Sequence, residues 1–256
     1  MNKLPAWRLA RHAYLDVLAN LQGLMQVGLL WLVLGWALMM LGRTSSLFGG
    51  LADIAVAVGA AAVAVAWHRH ILQGEPLTAR FAPVDAKVIR YFVFTVMLAL
   101  VVGVVPLMLL MLTAGGAEGA EAGAEPGLGL LLVPAVMLGC IYVAMRLQLI
   151  FPATATGDQG LTLAKSWAVT AGNGWRLTLG FFLATLPVAL LVLALAIFLG
   201  WAADATGSIA LSALADLATV ANAWLQAPLI ASFLSFVYLF FRQQGDPSGS
   251  RQVLPH

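Results

Sequence analysis

Charge is what this chain has least of. Only 9% of its 256 residues are Asp, Glu, Lys or Arg, while 62% are apolar; a soluble domain carries roughly 25% charged residues. That shortage excludes an ordinary water-facing surface, because so much apolar area needs lipid as its solvent. Cysteine is nearly absent as well. The single Cys140 excludes an intrachain disulfide and any cysteine-based metal site, and its place inside an apolar run reads as a small buried residue. There is no Gly-x-Ser-x-Gly elbow, no His-Glu-x-x-His and no phosphate-binding loop. No acidic residue stands at the middle of an apolar run, which weighs against a proton or cation pathway.

Long apolar runs take up most of what is there. Six segments reach the roughly 20 residues a bilayer core requires: about 23–42, 47–67, 91–113, 128–150, 175–199 and 217–241. They are too long and continuous for barrel strands. The expected fold is an all-α polytopic membrane protein, one six-helix domain over 1–242 with a flexible tail over 243–256. The first apolar run is longer than a signal-peptide core and no clear small-residue cleavage site follows it, so it reads as a retained span.

The loops between these runs are of two kinds. Twelve of the thirteen Lys and Arg residues fall in alternate loops: Lys3, Arg8 and Arg11; Arg69, Arg80, Lys87 and Arg90; Arg146, Lys165 and Arg176; Arg242 and Arg251. The intervening loops hold Glu118, Glu121, Glu125 and Asp204, with Arg43 as the sole cation. This asymmetry predicts that both termini are cytoplasmic. Cations spread over several loops rather than one patch speak against nucleic-acid binding.

Each cytoplasmic segment begins with amphipathic character. Over 5–20, Trp7, Ala10, Tyr14, Val17, Leu18 and Leu21 are expected on an apolar face, opposite Arg8, Arg11, His12, Asp16 and Asn20, as in a helix lying in the interface. A second segment, Ala79 to Tyr91, sets Phe81, Val84 and Val88 against Arg80, Lys87 and Arg90. A third, Thr162 to Ala171, sets Leu163 and Trp167 toward lipid and Lys165, Ser166 and Thr170 toward water. Together these predict three copies of an interfacial helix plus a helical hairpin.

Candidate functional residues fall in three groups. His68, His70, His12 and Glu75 have metal-ligand chemistry, but His68 and His70 point ~200° apart on a helix, so Trp67 is expected at the headgroup level with the imidazoles hydrated or facing phosphates. Arg146 precedes Pro152, which is expected to break the helix and free backbone carbonyls; Arg146 would then pair with Asp158 or hold a lipid phosphate. Polar residues within or near the spans are Asn20, Gln22, Gln26, Asp53, Asp216, Asn222 and Gln226, the last two sharing a helix face four residues apart. Pro106, Pro134, Pro187 and Pro228 predict kinks within spans. Small residues such as Gly28 and Gly35 leave room for close helix contacts, within one chain or between copies.

Three segments, WHRHILQGE at 67–75, RLQLIFPATATGD at 146–158 and SWAVTAGNGWRL at 166–177, resemble a broad family of bacterial six-span inner-membrane proteins. That family is similar to the membrane domain fused to some glycerophosphoryl diester phosphodiesterases. In those fusions a separate soluble barrel carries catalysis; this chain has no room for it, and its His-Arg-His differs from that enzyme's His-Arg-Gly. The resemblance implies a non-enzymatic membrane module with a lipid connection and no cofactor. The expected function is lipid binding, organisation or movement at the cytoplasmic leaflet, with Arg69, Arg90, Arg146 and Arg176 as headgroup contacts. The alternatives are a small-solute or ion transporter using Gln26, Asn222 and Gln226, or a subunit of a larger membrane complex, with a membrane-protein partner or further copies of the chain around it.

Overall fold

The computed structural model describes residues 3–77, 82–114 and 129–245. Among them there are nine helices and no strand: α1 (Ala6–Ala19), α2 (Leu21–Gly42), α3 (Ser46–Gln73), α4 (Ala86–Ala114), α5 (Gly129–Leu147), α6 (Ile150–Thr156), α7 (Leu163–Val169), α8 (Gly174–Thr206) and α9 (Ile209–Gly245). Six helical stretches are long and apolar enough to cross a membrane, the fourth made of α5 and α6 together. The acidic loop with Glu118, Glu121 and Glu125, and Arg80 and Arg251, lie outside the described residues.

α9 is the core. It packs against α1, α2, α3, α6 and α8, and 67% of its most apolar stretch is buried, against 6% for α4. At 37 residues it is ~55 Å long, well beyond the ~30 Å hydrocarbon thickness. Its ends therefore project past the membrane, and the helix itself continues to Gly245, past the expected limit of 242; the rest of the expected tail lies outside the described residues. α4 instead exposes Val93, Met97, Leu100, Met108 and Met111, an apolar face suited to lipid tails. The four in-span prolines lie inside α4, α5, α8 and α9.

The short helices depart from expectation in ways that have physical causes. α1 does not lay its whole apolar face outward. It buries Leu9, Ala10, Ala13 and Val17, while Trp7 and Leu18 stay exposed. Asp16, expected in water, points into the bundle. Trp67 Nε1 donates to Asp16 Oδ2 (2.8 Å) and to Ser232 Oγ (2.8 Å), and Ser232 donates to the same carboxylate oxygen at 2.7 Å. A carboxylate among helix ends is retained when donors surround it, and here α1, α3 and α9 share it. Trp67 is consequently fully buried, not an interfacial anchor.

In the second segment α4 is continuous from Ala86, so no separate interfacial helix appears between residues 82 and 114; Ala79, Arg80 and Phe81 lie outside the described residues. Asp85 starts the helix, its Oδ1 accepting from Lys87 N and Val88 N at 2.9 Å each. In the third segment, α7 is capped by Thr162, which accepts from Lys165 N. Its Ser166 and Thr170 face protein rather than water and are fully buried, because both donate to the Arg146 carbonyl that ends α5 (2.8 and 3.4 Å).

The helix break falls at Gln148 and Leu149, just upstream of Pro152. Pro152 has no N–H to offer the carbonyl four residues back. That carbonyl, of Gln148, accepts instead from Phe151 N at 3.1 Å, and α6 restarts with Pro152 in its first turn, where a missing N–H is harmless. The sole cation of the otherwise acidic loops is also accounted for. Arg43 Nη2 meets Asp216 Oδ2 at 2.7 Å, so the pair adds no net positive charge at that end.

Candidate functional site

The basic end of the bundle is tied by polar side chains. Arg69, leaving α3, meets Asp85 Oδ2 at 2.6 Å and donates through Nε to the Ala155 carbonyl at 3.1 Å, near the C-terminus of α6, where carbonyls lack helical partners. Gln73 donates to the Thr156 carbonyl beside it. Asp158, just after α6, accepts from the Tyr238 hydroxyl of α9 and from Gly160 N.

Both carboxylates are acidified. Burial opposes ionisation of Asp85, but the Arg69 hydrogen bond, the backbone N–H groups of Val88 and Lys87, and the Arg69 charge outweigh it and hold its pKa below the ordinary carboxylate range. For Asp158 the Tyr238 hydrogen bond leads; burial opposes it, and Gly160 N, Arg242 and Lys165 add to it, with the same net direction. A carboxyl whose folded pKa is depressed contributes stability above its unfolded value, near 4, and loses it as pH falls through the folded value. The melting temperature in detergent is expected to be flat from pH 6 to about 4 on account of these groups and to drop below that. Asp85→Asn is expected to start lower and show a shallower acid drop, and an unchanged acid profile in that variant would refute the linkage.

The four arginines expected to meet headgroups separate into two kinds. Arg69 and Arg146 turn inward. Arg146 is 8% exposed; its guanidinium stacks on Trp167 (3.6 Å to the ring centre) and faces Tyr142 (5.9 Å). It donates to the Trp167 carbonyl and to Thr170 Oγ1 (3.2 Å). Its hydrogen-bond partners are thus on α7 and the Thr170 that ends it, and Asp158 goes to Tyr238 instead. Arg90 and Arg176 are exposed, Arg176 reaching the Leu4 carbonyl at 3.4 Å. The histidines diverge too. His70 Nδ1 meets the Glu75 carbonyl at 2.8 Å, whereas His68, expected to be hydrated, is fully buried with Nδ1 against Ser235 Oγ at 2.8 Å and Nε2 toward Tyr91 OH at 3.5 Å.

Tyr91 leads to a cavity that the sequence reading missed. A void of about 410 Å³ lies between α3, α4 and α9, with α5, α6 and α8 contributing. This is within the ~300–1,000 Å³ typical of ligand sites. Its cause is a stripe of small residues. Ala57, Ala60, Ala61 and Ala64 repeat along one face of α3, opposite Ala223 and Ala227 of α9, and helices spaced by larger side chains nearby cannot close over them. Tyr91 and Val102 both line it, so it extends ~16 Å along α4. Its basic end is walled by buried Tyr91, Phe151 and Leu234, whereas Ala57, Thr95 and Ala99 farther along are exposed. The cavity is therefore closed at the basic end and open sideways.

Few polar groups reach it. Gln226 donates to the Thr185 carbonyl at 3.0 Å, and its Oε1 is enclosed with no partner. Gln148, at the helix break, is 8% exposed and its Oε1 is likewise without a partner. Of the pathway residues anticipated from sequence, Gln226 lines the cavity. Asn222, one turn away with an unpartnered Oδ1, and the half-buried Gln26 of α2 are not among its lining residues.

Six apolar helices, five of which line a sideways-opening apolar cavity, define a multi-pass α-helical integral membrane protein. Comparison with protein-family models, with curated proteins and with solved structures returns no match.

Proposed function

We propose that this chain is a non-enzymatic inner-membrane protein that binds a membrane lipid, with its basic end and both termini in the cytoplasm, and that the cavity between α3, α4 and α9 receives the lipid's apolar chain. The observation that carries this reading is the cavity's shape and lining: elongated, alanine-walled and open toward the hydrocarbon. In a bilayer such a space would be filled by acyl chain, since an apolar void does not hold water. The resemblance read from the sequence, to a six-span family that is itself similar to the membrane domain of some glycerophosphoryl diester phosphodiesterases, points to the same connection. Arg90 and Arg176, exposed at the basic end, would meet the headgroups of the surrounding leaflet rather than the lipid held in the cavity, while Arg69 and Arg146 hold the loops that frame it.

The test is native mass spectrometry of protein taken directly from membranes. Wild type is expected to retain about one lipid per chain. Ala61→Phe, which puts a ring into the cavity from a buried position, and Ala57→Phe, which does so from an exposed one where folding is not at risk, are each expected to lose it. Equal lipid retention in wild type and both variants would end the cavity reading. Lipid-free protein that moves a solute across liposomes, sensitive to Gln226→Ala, would favour transport instead.

A further inference from the structure

Resting on that reading, we propose that the cavity selects a lipid with one long apolar chain and an uncharged, hydroxyl-bearing head, and that Gln148 is the residue that recognises the head.

The lining decides against charge. Among the described residues that line the cavity there is no Lys, Arg, His, Asp or Glu. A phosphate or ammonium group brought inside would lose its hydration and gain no counter-ion, the costliest kind of burial. The two arginines that turn inward at this end are already committed, Arg69 to Asp85 and Ala155, Arg146 to Trp167 and Thr170, and Arg90 and Arg176 are exposed and are not among the lining residues. A charged head must therefore stay outside, and a lipid that places its head within must be neutral.

The lining is not indifferent to polarity, however. Gln148 stands where α5 ends and α6 begins, close to the closed end of the cavity marked by Phe151. Its side chain is more than nine-tenths buried, and its Oε1 has no partner. A buried amide left unsatisfied is costly, and a ligand that completes it gains that free energy on binding. A primary amide offers both a donor and an acceptor, as does a hydroxyl, so an alcohol satisfies it in either amide orientation. Thr95, which donates to the Tyr91 carbonyl at 3.0 Å, keeps a hydroxyl lone pair available on the same wall. The remaining walls suit the chain: alanines of α3 and α9, with Leu98 and Val102 of α4, Met145 of α5, Phe181 of α8 and Ile230 of α9.

Two probes with the same acyl chain separate the possibilities: 1-oleoylglycerol and 1-oleoyl-lysophosphatidic acid, which differ by the phosphate. Each is titrated into full-length protein in neutral detergent micelles at pH 7, and bound probe is counted by native mass spectrometry. Oleoylglycerol is expected to bind at least about tenfold more tightly. Gln148→Leu, which keeps the buried volume, is expected to weaken it about fivefold or more and to leave lysophosphatidate unchanged. Equal or tighter binding of lysophosphatidate overturns the neutral-head selection while leaving the cavity reading standing. Tight oleoylglycerol binding that Gln148→Leu does not alter overturns the role of Gln148. If neither probe binds in a manner that Ala61→Phe abolishes, the lipid-binding reading itself fails and this inference with it.

Discussion

Adding a single methyl group at Gly28 is expected to destabilise the bundle by roughly 1–3 kcal/mol, the range for overpacking a well-filled interior. A β-carbon built on Gly28 would stand 2.0 Å from Trp224 Nε1 and 2.8 Å from its Cδ1. The obstacle is a rigid indole wedged between α2 and α9, not the loose end of a flexible chain. Gly28 is buried, and so the helix pair must separate or the ring must leave its rotamer. The check is a thermal melt of purified protein in detergent, with a second-site variant alongside. Gly28→Ala is expected to melt well below wild type, and Gly28→Ala with Trp224→Leu is expected to recover much of the loss. Recovery is plausible on energetic grounds because the indole N–H has no hydrogen-bond partner to forfeit. If the double variant is no more stable than Gly28→Ala alone, the contact is not what limits the approach of the two helices.

The second large effect is expected at Arg146. Its replacement by alanine is expected to cost roughly 2–4 kcal/mol, given ~1.5–3 kcal/mol for a hydrogen bond to a charged group and up to ~2 for a desolvated cation–π contact. The guanidinium is the plug between the end of α5 and the whole of α7. It stacks on Trp167, donates to the Trp167 carbonyl and Thr170, and its own backbone carbonyl accepts from Ser166. Lysine cannot stack and fork in the same way, so Arg146→Lys is expected to rescue little. Limited proteolysis of the loop between α6 and α8, alongside a thermal melt, checks this: the variant is expected to be cut at residues 157–173 while wild type resists. A variant that keeps wild-type stability and protease resistance but loses bound lipid would instead return Arg146 to the role of headgroup ligand. Arg176→Ala, on an exposed side chain, is the cleaner probe of headgroup contact.

These two positions also mark the limit of what the sequence discloses. Gly28 was legible as a place for close helix approach, but the partner was not. Nothing in the local pattern says that the indole of Trp224, far along the chain, fills the gap, or that the contact is within one chain. Arg146 was legible as a cation at the end of a span beside Pro152. Its two apparent partners, a lipid phosphate and Asp158, were both reasonable by proximity in sequence. The structure gives it Trp167 and Thr170 because α7 folds back over the end of α5, a tertiary event with no local signature. The faces of α1 and α7 failed for one reason. Helical periodicity assigns polar residues to a face, but it does not say whether water or another helix lies against that face, and Asp16, Ser166 and Thr170 all meet helices.

By itself the sequence determined the class of protein and the number of spans, because lipid imposes a length and an apolarity that hydrophobic runs record directly, although the helices run past the expected limits, α8 to Thr206 and α9 from Ile209. The alternation of basic and acidic loops is likewise read directly from the positions of the charged residues along the chain. Only the tertiary structure decided that α9 is the core, that Arg43 is neutralised by Asp216, that His68 and Trp67 are buried and that a cavity exists. The alanines of α3 were in plain view at positions 57, 60, 61 and 64. In a helix that is apolar all round, however, a stripe of small residues reads the same whether it packs tightly or stands open. The difference is set by what lies opposite, and in a membrane, where apolar burial does not favour one helix face over another, that is settled by side-chain fit across the whole bundle.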